Sequence, residues 1–234
     1  MTPALKILGL ALLVATAACS NKTETPTAEA PAPQPVETAP APVAPPAPSP
    51  ATAANIAAPK LQAALRELWH GHIVHARDYA LAVHAKKDAD AKQAADAVVA
   101  NAKQISGAVA GFYGKAGGDR MMELLGGHWG AVKALTDARA KGDSAAADKA
   151  TSDLNANAGE IANFLSSANP NLPEDTVRGL MLAHGAHHSQ QIEQIMAGDT
   201  NGEATTWAAM QQHMDMIADA LASAIAKQFP DRAS

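Results

Sequence analysis

Three histidines recur in this chain at a constant interval. His72, His128 and His184 are each 56 residues apart. The same step aligns Leu68, Leu124 and Leu180 before them. Further on it aligns Val98, Leu154 and Met210, then Asn101, Asn157 and His213, then Ile105, Ile161 and Ile217, then Val109, Leu165 and Leu221. One histidine column alone is weak evidence of repetition, but several apolar columns in the same frame point to an internal repeat. Imidazole is the commonest metal-ligating side chain, and its neutral form suits Zn2+, Cu2+, Ni2+ or iron. Placed in an apolar core, it is costly unless each ring nitrogen finds a partner, and a transition-metal ion meets that need directly.

The elements that must position these rings are helices. The chain holds 57 Ala, only 3% aromatic residues and few β-branched ones, which favours closely packed helices over sheet. No proline occurs between Lys60 and Asn169. Breaks at Lys87-Asp88, Gly114 to Asp119, Gly142-Asp143, Asn169 to Pro173 and Gly198 to Gly202 predict six helices, near 60–86, 90–113, 119–140, 144–168, 174–197 and 203–228. Asp119 and Ser144 are the expected N-caps, and Pro173 suits a helix start. The fold class expected is all-α: a six-helix bundle of three repeated helical hairpins with period 56.

At ~100° per residue, Leu61, Leu65, Leu68, Ala76, Tyr79 and Val83 lie within about 40° of His72, in the middle of one apolar stripe. The same phase surrounds His128 with Met121, Leu124, Val132 and Leu135, and His184 with Val177, Leu180 and Ile195. His213 lies beside Ile217 on the inner face of its own helix. Folding each hairpin at its turn levels His72 with Asn101, His128 with Asn157 and His184 with His213. The expected metal ligands are therefore His72, His128, His184 and His213, with Asn101 and Asn157 orienting their rings. His75, His187, His188 and Glu160 are secondary candidates at the edge of that layer. A packing layer of His and Asn that fixes the register of the hairpins is the competing expectation, and a haem is a further one.

Other constellations carry less. Glu67 and His70 match the Glu-x-x-His of di-iron bundles, but there is no second copy and both fall about 140–160° from the apolar stripe. Met181, Met210 and Met214 neighbour the histidine layer as soft Cu(I) ligands or as core. No Gly-rich phosphate loop and no nucleophile–base pairing appears. A single Cys excludes an intrachain disulfide framework, a Cys-based zinc finger and an iron–sulfur site. A net charge of −5 argues against a nucleic-acid partner.

The first sixty residues read as address and tether. Residues 1–19 combine Lys6, a short apolar run from Ile7 to Val14, and small residues before Cys19, as in a bacterial export signal. Thr16-Ala17-Ala18-Cys19 resembles the lipobox of lipoproteins, departing from it at Thr16. That resemblance implies lipidation of Cys19, membrane attachment through the lipid, and, from Ser20, outer-membrane sorting on the periplasmic side. Cleavage after Ala17, leaving a free thiol, is the alternative. Residues 20–59 hold eleven of the fifteen prolines and read as an extended tether; residues 60–234 are the bundle domain.

The chain also resembles a family of bacterial helical-bundle proteins without an assigned activity. Leu68-Trp69 with His72, Asn101 to Ile105 with Tyr113-Gly114, and Leu124-Leu125 with His128 carry the likeness. So do Ile161 to Ser166, Asn169-Pro170, Met216 to Leu221, and Gln228-Phe229-Pro230. The resemblance implies a helical bundle and no known chemistry. Some members carry a glycosyltransferase label, which the absence of any nucleotide-binding α/β pattern here does not support. The chain departs from the family at His75, where Trp is usual, and in its additional His187 and His188. The function expected is metal binding at the cell envelope for storage, buffering or sensing. A non-catalytic structural module comes second, and a metal-dependent enzyme third.

Overall fold

The computed structural model describes residues 58–233; the expected signal segment and Cys19, and all but the end of the tether, lie outside the described residues. Five helices fill that span: α1 (Pro59–His84), α2 (Asp88–Lys141), α3 (Ser144–Ala168), α4 (Glu174–Ala197) and α5 (Thr200–Gln228). Consecutive helices pack against one another, α5 returns to α1, and α4 also touches α1 and α2, so the bundle closes on itself. No described helix is long and apolar enough to cross a membrane.

Local chemistry sets the ends. Pro59 occupies the first turn of α1, where its missing N–H costs nothing. Asp88 and Asp90 sit at the positive end of α2, Arg139 and Lys141 at its negative end. The cap of α3 is Asp143, not Ser144: its carboxylate accepts from the Ala146 amide at 3.0 Å. Asp199 does the same for α5, accepting from Gly202 at 2.9 Å.

The expected break between the second and third helices falls inside α2, where two helical segments meet at a kink; Asp119, expected as a cap, lies within the second segment. Only Gly114 leaves helical geometry, at φ 75° and ψ 175°, a conformation essentially reserved for glycine. The next glycines serve proximity. A Cβ at Gly117 would lie 2.7 Å from the Tyr113 Cβ, and one at Gly118 2.7 Å from the Ala110 Cβ and 2.8 Å from the Ser106 carbonyl.

Apolar burial falls into two clusters. One gathers Leu65, Trp69, Ile105, Leu124, Ile161 and Met214 with their neighbours. The other gathers Tyr79, Val98, Trp129, Leu135, Leu154 and Ile195 with theirs. Along the second half of α2 and α4 the passage from one cluster to the other occurs at His128, and at His184 with His188; along α1 it falls just past His72, between Ile73 and Ala76. On the first half of α2 and on α3 it occurs at Asn101 and Asn157. The bundle is thus two dry compartments separated by a buried polar layer.

Residues of the family-like pattern close one end. Asn169 donates to the Tyr113 hydroxyl at 2.9 Å, Tyr113 donates to Gln228 at 3.1 Å, and Phe229 packs on Phe112 and Tyr113 with ring centroids 5.7 and 5.4 Å apart. These residues hold helix ends together.

Toward the other end, Arg77 of α1 grips Glu203 of α5 through two hydrogen bonds, at 2.6 and 2.9 Å. Gln191 of α4 adds a third at 2.8 Å, and Arg77 lies over the Trp207 ring at 4.9 Å. The guanidinium holds the Glu203 carboxyl below its ordinary range, against the opposing effect of burial. Removing the cation strands a buried carboxylate, so Arg77→Met is expected to cost about 2–3 kcal/mol in urea unfolding. Adding Glu203→Gln to that variant should restore most of the loss. Equal stability of Arg77→Met and the unaltered protein would show that the pair contributes nothing.

Candidate metal centre

Each ring reaches the centre because its helix carries an apolar stripe and the histidine interrupts it at the same level. His72, His128, His184 and His188 are 2–4% exposed. One ring nitrogen from each lies within 4.8 Å of all the others. The ring centroids of His72, His128 and His184 form a near-equilateral triangle with sides of 5.5, 5.8 and 5.3 Å. His188 approaches His184 most closely, with Nε2 to Nε2 at 3.1 Å. Two imidazoles bound to one tetrahedral ion at ~2.0–2.1 Å have their nitrogens roughly 3.4 Å apart. The His184–His188 pair, at 3.1 Å, is already near that separation.

The main chain behind each ring is held the same way three times. Asn101 Nδ2 donates to the Leu68 carbonyl at 2.9 Å, and Asn157 Nδ2 donates to the Leu124 carbonyl at 3.0 Å. His213 Nε2 makes the corresponding contact to the Leu180 carbonyl at 2.9 Å. Each acceptor lies four residues before a central histidine. Glycine next to the first two rings leaves room for the amide: a Cβ at Gly71 would stand 2.9 Å from Asn101 Nδ2, and one at Gly127 3.1 Å from Asn157 Nδ2. The third unit has Ala183 at that place.

The electrostatics are those of rings kept neutral. Burial pushes His72 down to about 3, helped by the neighbouring His128 and His75, and pushes His128 down to about 4. His184 and His188 are held well below the ordinary imidazole value, first by burial; His188, His128, His72 and His213 add to this for His184, and His128, His72 and His187 for His188. A neutral ring is a ligand-ready ring. Neither nitrogen of His72 or His128 has a hydrogen-bond partner in the protein, nor has Nδ1 of His184. Groups so deeply buried ordinarily find one. Four buried histidines disposed in this way can hold a metal ion.

The arrangement departs from the expected ligand set in its fourth member. His213 is buried but has its Nε2 on the Leu180 carbonyl and lies outside the group of four; His188 joins the group instead. Asn101 and Asn157 donate their amide N–H groups to main-chain carbonyls, and the Asn157 side chain also lies against His128, opposing the lowering of its pKa by burial. His75 and His187 are half-buried and stand outside the group. Glu160 is exposed and faces Arg120 at 3.3 Å. Met181, Met210 and Met214 are buried in the first apolar cluster. His70 bonds to Asp215 at 3.0 Å near the surface, and Glu67 is exposed, so they assemble no di-iron site with the central rings.

His188 was underrated because the period does not contain it: the equivalent positions are Ala76 and Val132. The signal that finds it is local. His184 and His188, four apart, share one helical face.

No known protein-family model, curated protein or solved structure matches this chain.

Proposed function

We propose that the protein binds one transition-metal ion through His72, His128, His184 and His188, for storage, buffering or sensing. The observation that carries this reading is the four ring nitrogens brought within 4.8 Å of one another by α1, α2 and α4, with both nitrogens of His72 and His128 lacking any partner. A coordinated ion would give His72 and His128 the partner they lack. An all-imidazole set suits Zn2+, Cu2+, Ni2+ or iron. Four protein ligands fill a tetrahedral shell, which favours holding a metal over catalysis, since catalytic sites keep a position open.

The reading extends to the rest of the chain. The main-chain contacts of Asn101, Asn157 and His213, spaced 56 residues apart, support three repeated hairpins, with the break at Gly114 dividing α2 into the arms of two of them. The lipobox-like residues around Cys19 and the Pro-rich stretch behind them support a lipid-anchored protein on the periplasmic face of the envelope.

Elemental analysis of the purified protein after titration with each metal and removal of excess tests the binding. One equivalent per chain is expected, reduced to background in His128→Ala. A chain that retains no metal and melts identically with and without chelator would end the proposal. Undiminished binding by His128→Ala would exclude this ligand set.

A further inference from the structure

The central four rings are almost completely shielded from solvent, so an ion needs a way in. In the first hairpin half-buried His75 neighbours His72 but its ring packs on no other imidazole, and the second hairpin has no histidine besides His128. Behind His72 and His128 the contact to the main chain comes from an asparagine amide, and an amide nitrogen has no lone pair to give a metal. The third hairpin makes the same contact with an imidazole. The Leu180 carbonyl only accepts, so His213 carries its proton on Nε2, and its Nδ1 retains the basic lone pair. The substitution of His for Asn keeps the structural hydrogen bond and adds a metal ligand.

That ring stands in a series. His187, half-buried, lies 5.3 Å from His213 between ring centroids. His213, 3% exposed, is stacked 6.4 Å from His184 with an interplanar angle of 10°. His184 belongs to the central four. Exposure therefore falls from His187 inward through imidazoles at successive spacings, all from α4 and α5. The widest surface groove among those described lies elsewhere, beside Glu160 and Phe164. It carries Arg120 and Arg178 paired with Glu160 and Glu174, and no imidazole.

Resting on the metal-binding reading above, we propose that His187 and His213 form an entry relay that passes a divalent transition-metal ion to the central histidines. The ion first binds His187 and His213 Nδ1, then exchanges one imidazole for the next as it moves to His184. Each handover breaks one metal–nitrogen bond as another forms. The imidazoles stay neutral throughout and no electron is transferred.

The test is the rate of loading measured with Co2+ alone, whose tetrahedral complexes absorb in the visible. His213→Asn, made together with Ala183→Gly, copies the arrangement at the two equivalent positions and keeps a donor for the Leu180 carbonyl. His187→Ala alters a half-buried position. Both variants should reach the same final cobalt content as the unaltered protein, with the loading rate lowered about tenfold in stopped-flow mixing. Loading within a factor of about two of the unaltered rate in both variants would overturn the relay and leave the central site standing. Loss of final cobalt content in His213→Asn would also overturn it, by making His213 a permanent ligand. An unaltered protein that takes up no cobalt would overturn the relay together with the binding reading.

Discussion

Acidification from about pH 7.5 to about pH 5 is expected to lower the melting temperature of the metal-free protein by at least about 10 °C. The cause is the proton refused by each buried ring. In the unfolded chain an imidazole takes its proton near pH 6.5. In the folded protein His72 waits until about 3 and His128 until about 4, because burial disfavours the charged form. Between those values the unfolded state binds more protons, so stability rises with pH across that window. The contribution is complete above about pH 6.5 and is lost as pH falls toward the folded values. Each ring gives a slope of about 1.4 kcal/mol per pH unit, so by pH 5 these two together remove about 4 kcal/mol. His184 and His188 are displaced in the same direction and add to the loss. Set against a typical stability of about 5–15 kcal/mol, that is a large fraction. Scanning calorimetry over this range checks it. A melting temperature indifferent to pH would mean that the rings do not reside, neutral, in a dry interior. Saturating metal should shift the acid transition to lower pH, since protons must then displace a bound ion.

Replacing a central histidine by leucine should raise the stability of the metal-free protein while abolishing metal retention. His72 and His128 bury four ring nitrogens that bond to nothing in the protein. An uncompensated buried polar group costs about 1–3 kcal/mol in mutational series, and an apolar side chain of similar bulk removes that cost. His72→Leu and His128→Leu should therefore each stabilise the metal-free chain by about 1–2 kcal/mol at neutral pH, read from urea midpoints. With metal present the order should reverse, because only the unaltered protein gains from binding, by about 4 kcal/mol at a thousandfold excess over Kd. This inversion separates the two main readings. If the histidines served only as packing and register elements, both leucine variants would be less stable under every condition. Destabilisation in the absence of metal would therefore favour the structural module.

Much of this architecture is legible in the sequence, for reasons that can be stated residue by residue. Pro173 stands at the start of α4 as expected, whereas the cap expected at Ser144 is Asp143, one residue earlier, because either side chain can accept from the first-turn amides. The inward phase of His72, His128 and His184 follows from the apolar residues one turn away on either side. The interval from Gly114 to Asp119 marks the kink but not its exact place, because glycine has two uses: at Gly114 it supplies a backbone conformation, whereas Gly117 and Gly118 permit close approach to Tyr113, Ala110 and Ser106 across the kink. Asp119 is helical and meets Lys115 at 2.5 Å, where a cap was expected. The exchange of His213 for His188 has a different origin. Helical phase gives a direction from the axis, whereas ligation depends on depth and on which hydrogen bond a ring nitrogen has already made. The Leu180 carbonyl that engages His213 becomes visible only once α4 and α5 are side by side.

Gly114 has a wider reach than its own torsions. It stands between the segment of α2 that carries Asn101 and the segment that carries His128. One residue thus sets the heading of the arm that delivers a central ring, although it is fourteen positions from that ring in the sequence. Any side chain at this position would be forced toward ordinary torsions and would swing the whole arm like a door on a displaced hinge. Ring spacings at the core would change with every imidazole still present. Damage of this kind would read as impaired metal capture in a chain whose ligands are all intact, with its origin in the one place where the long helix changes course.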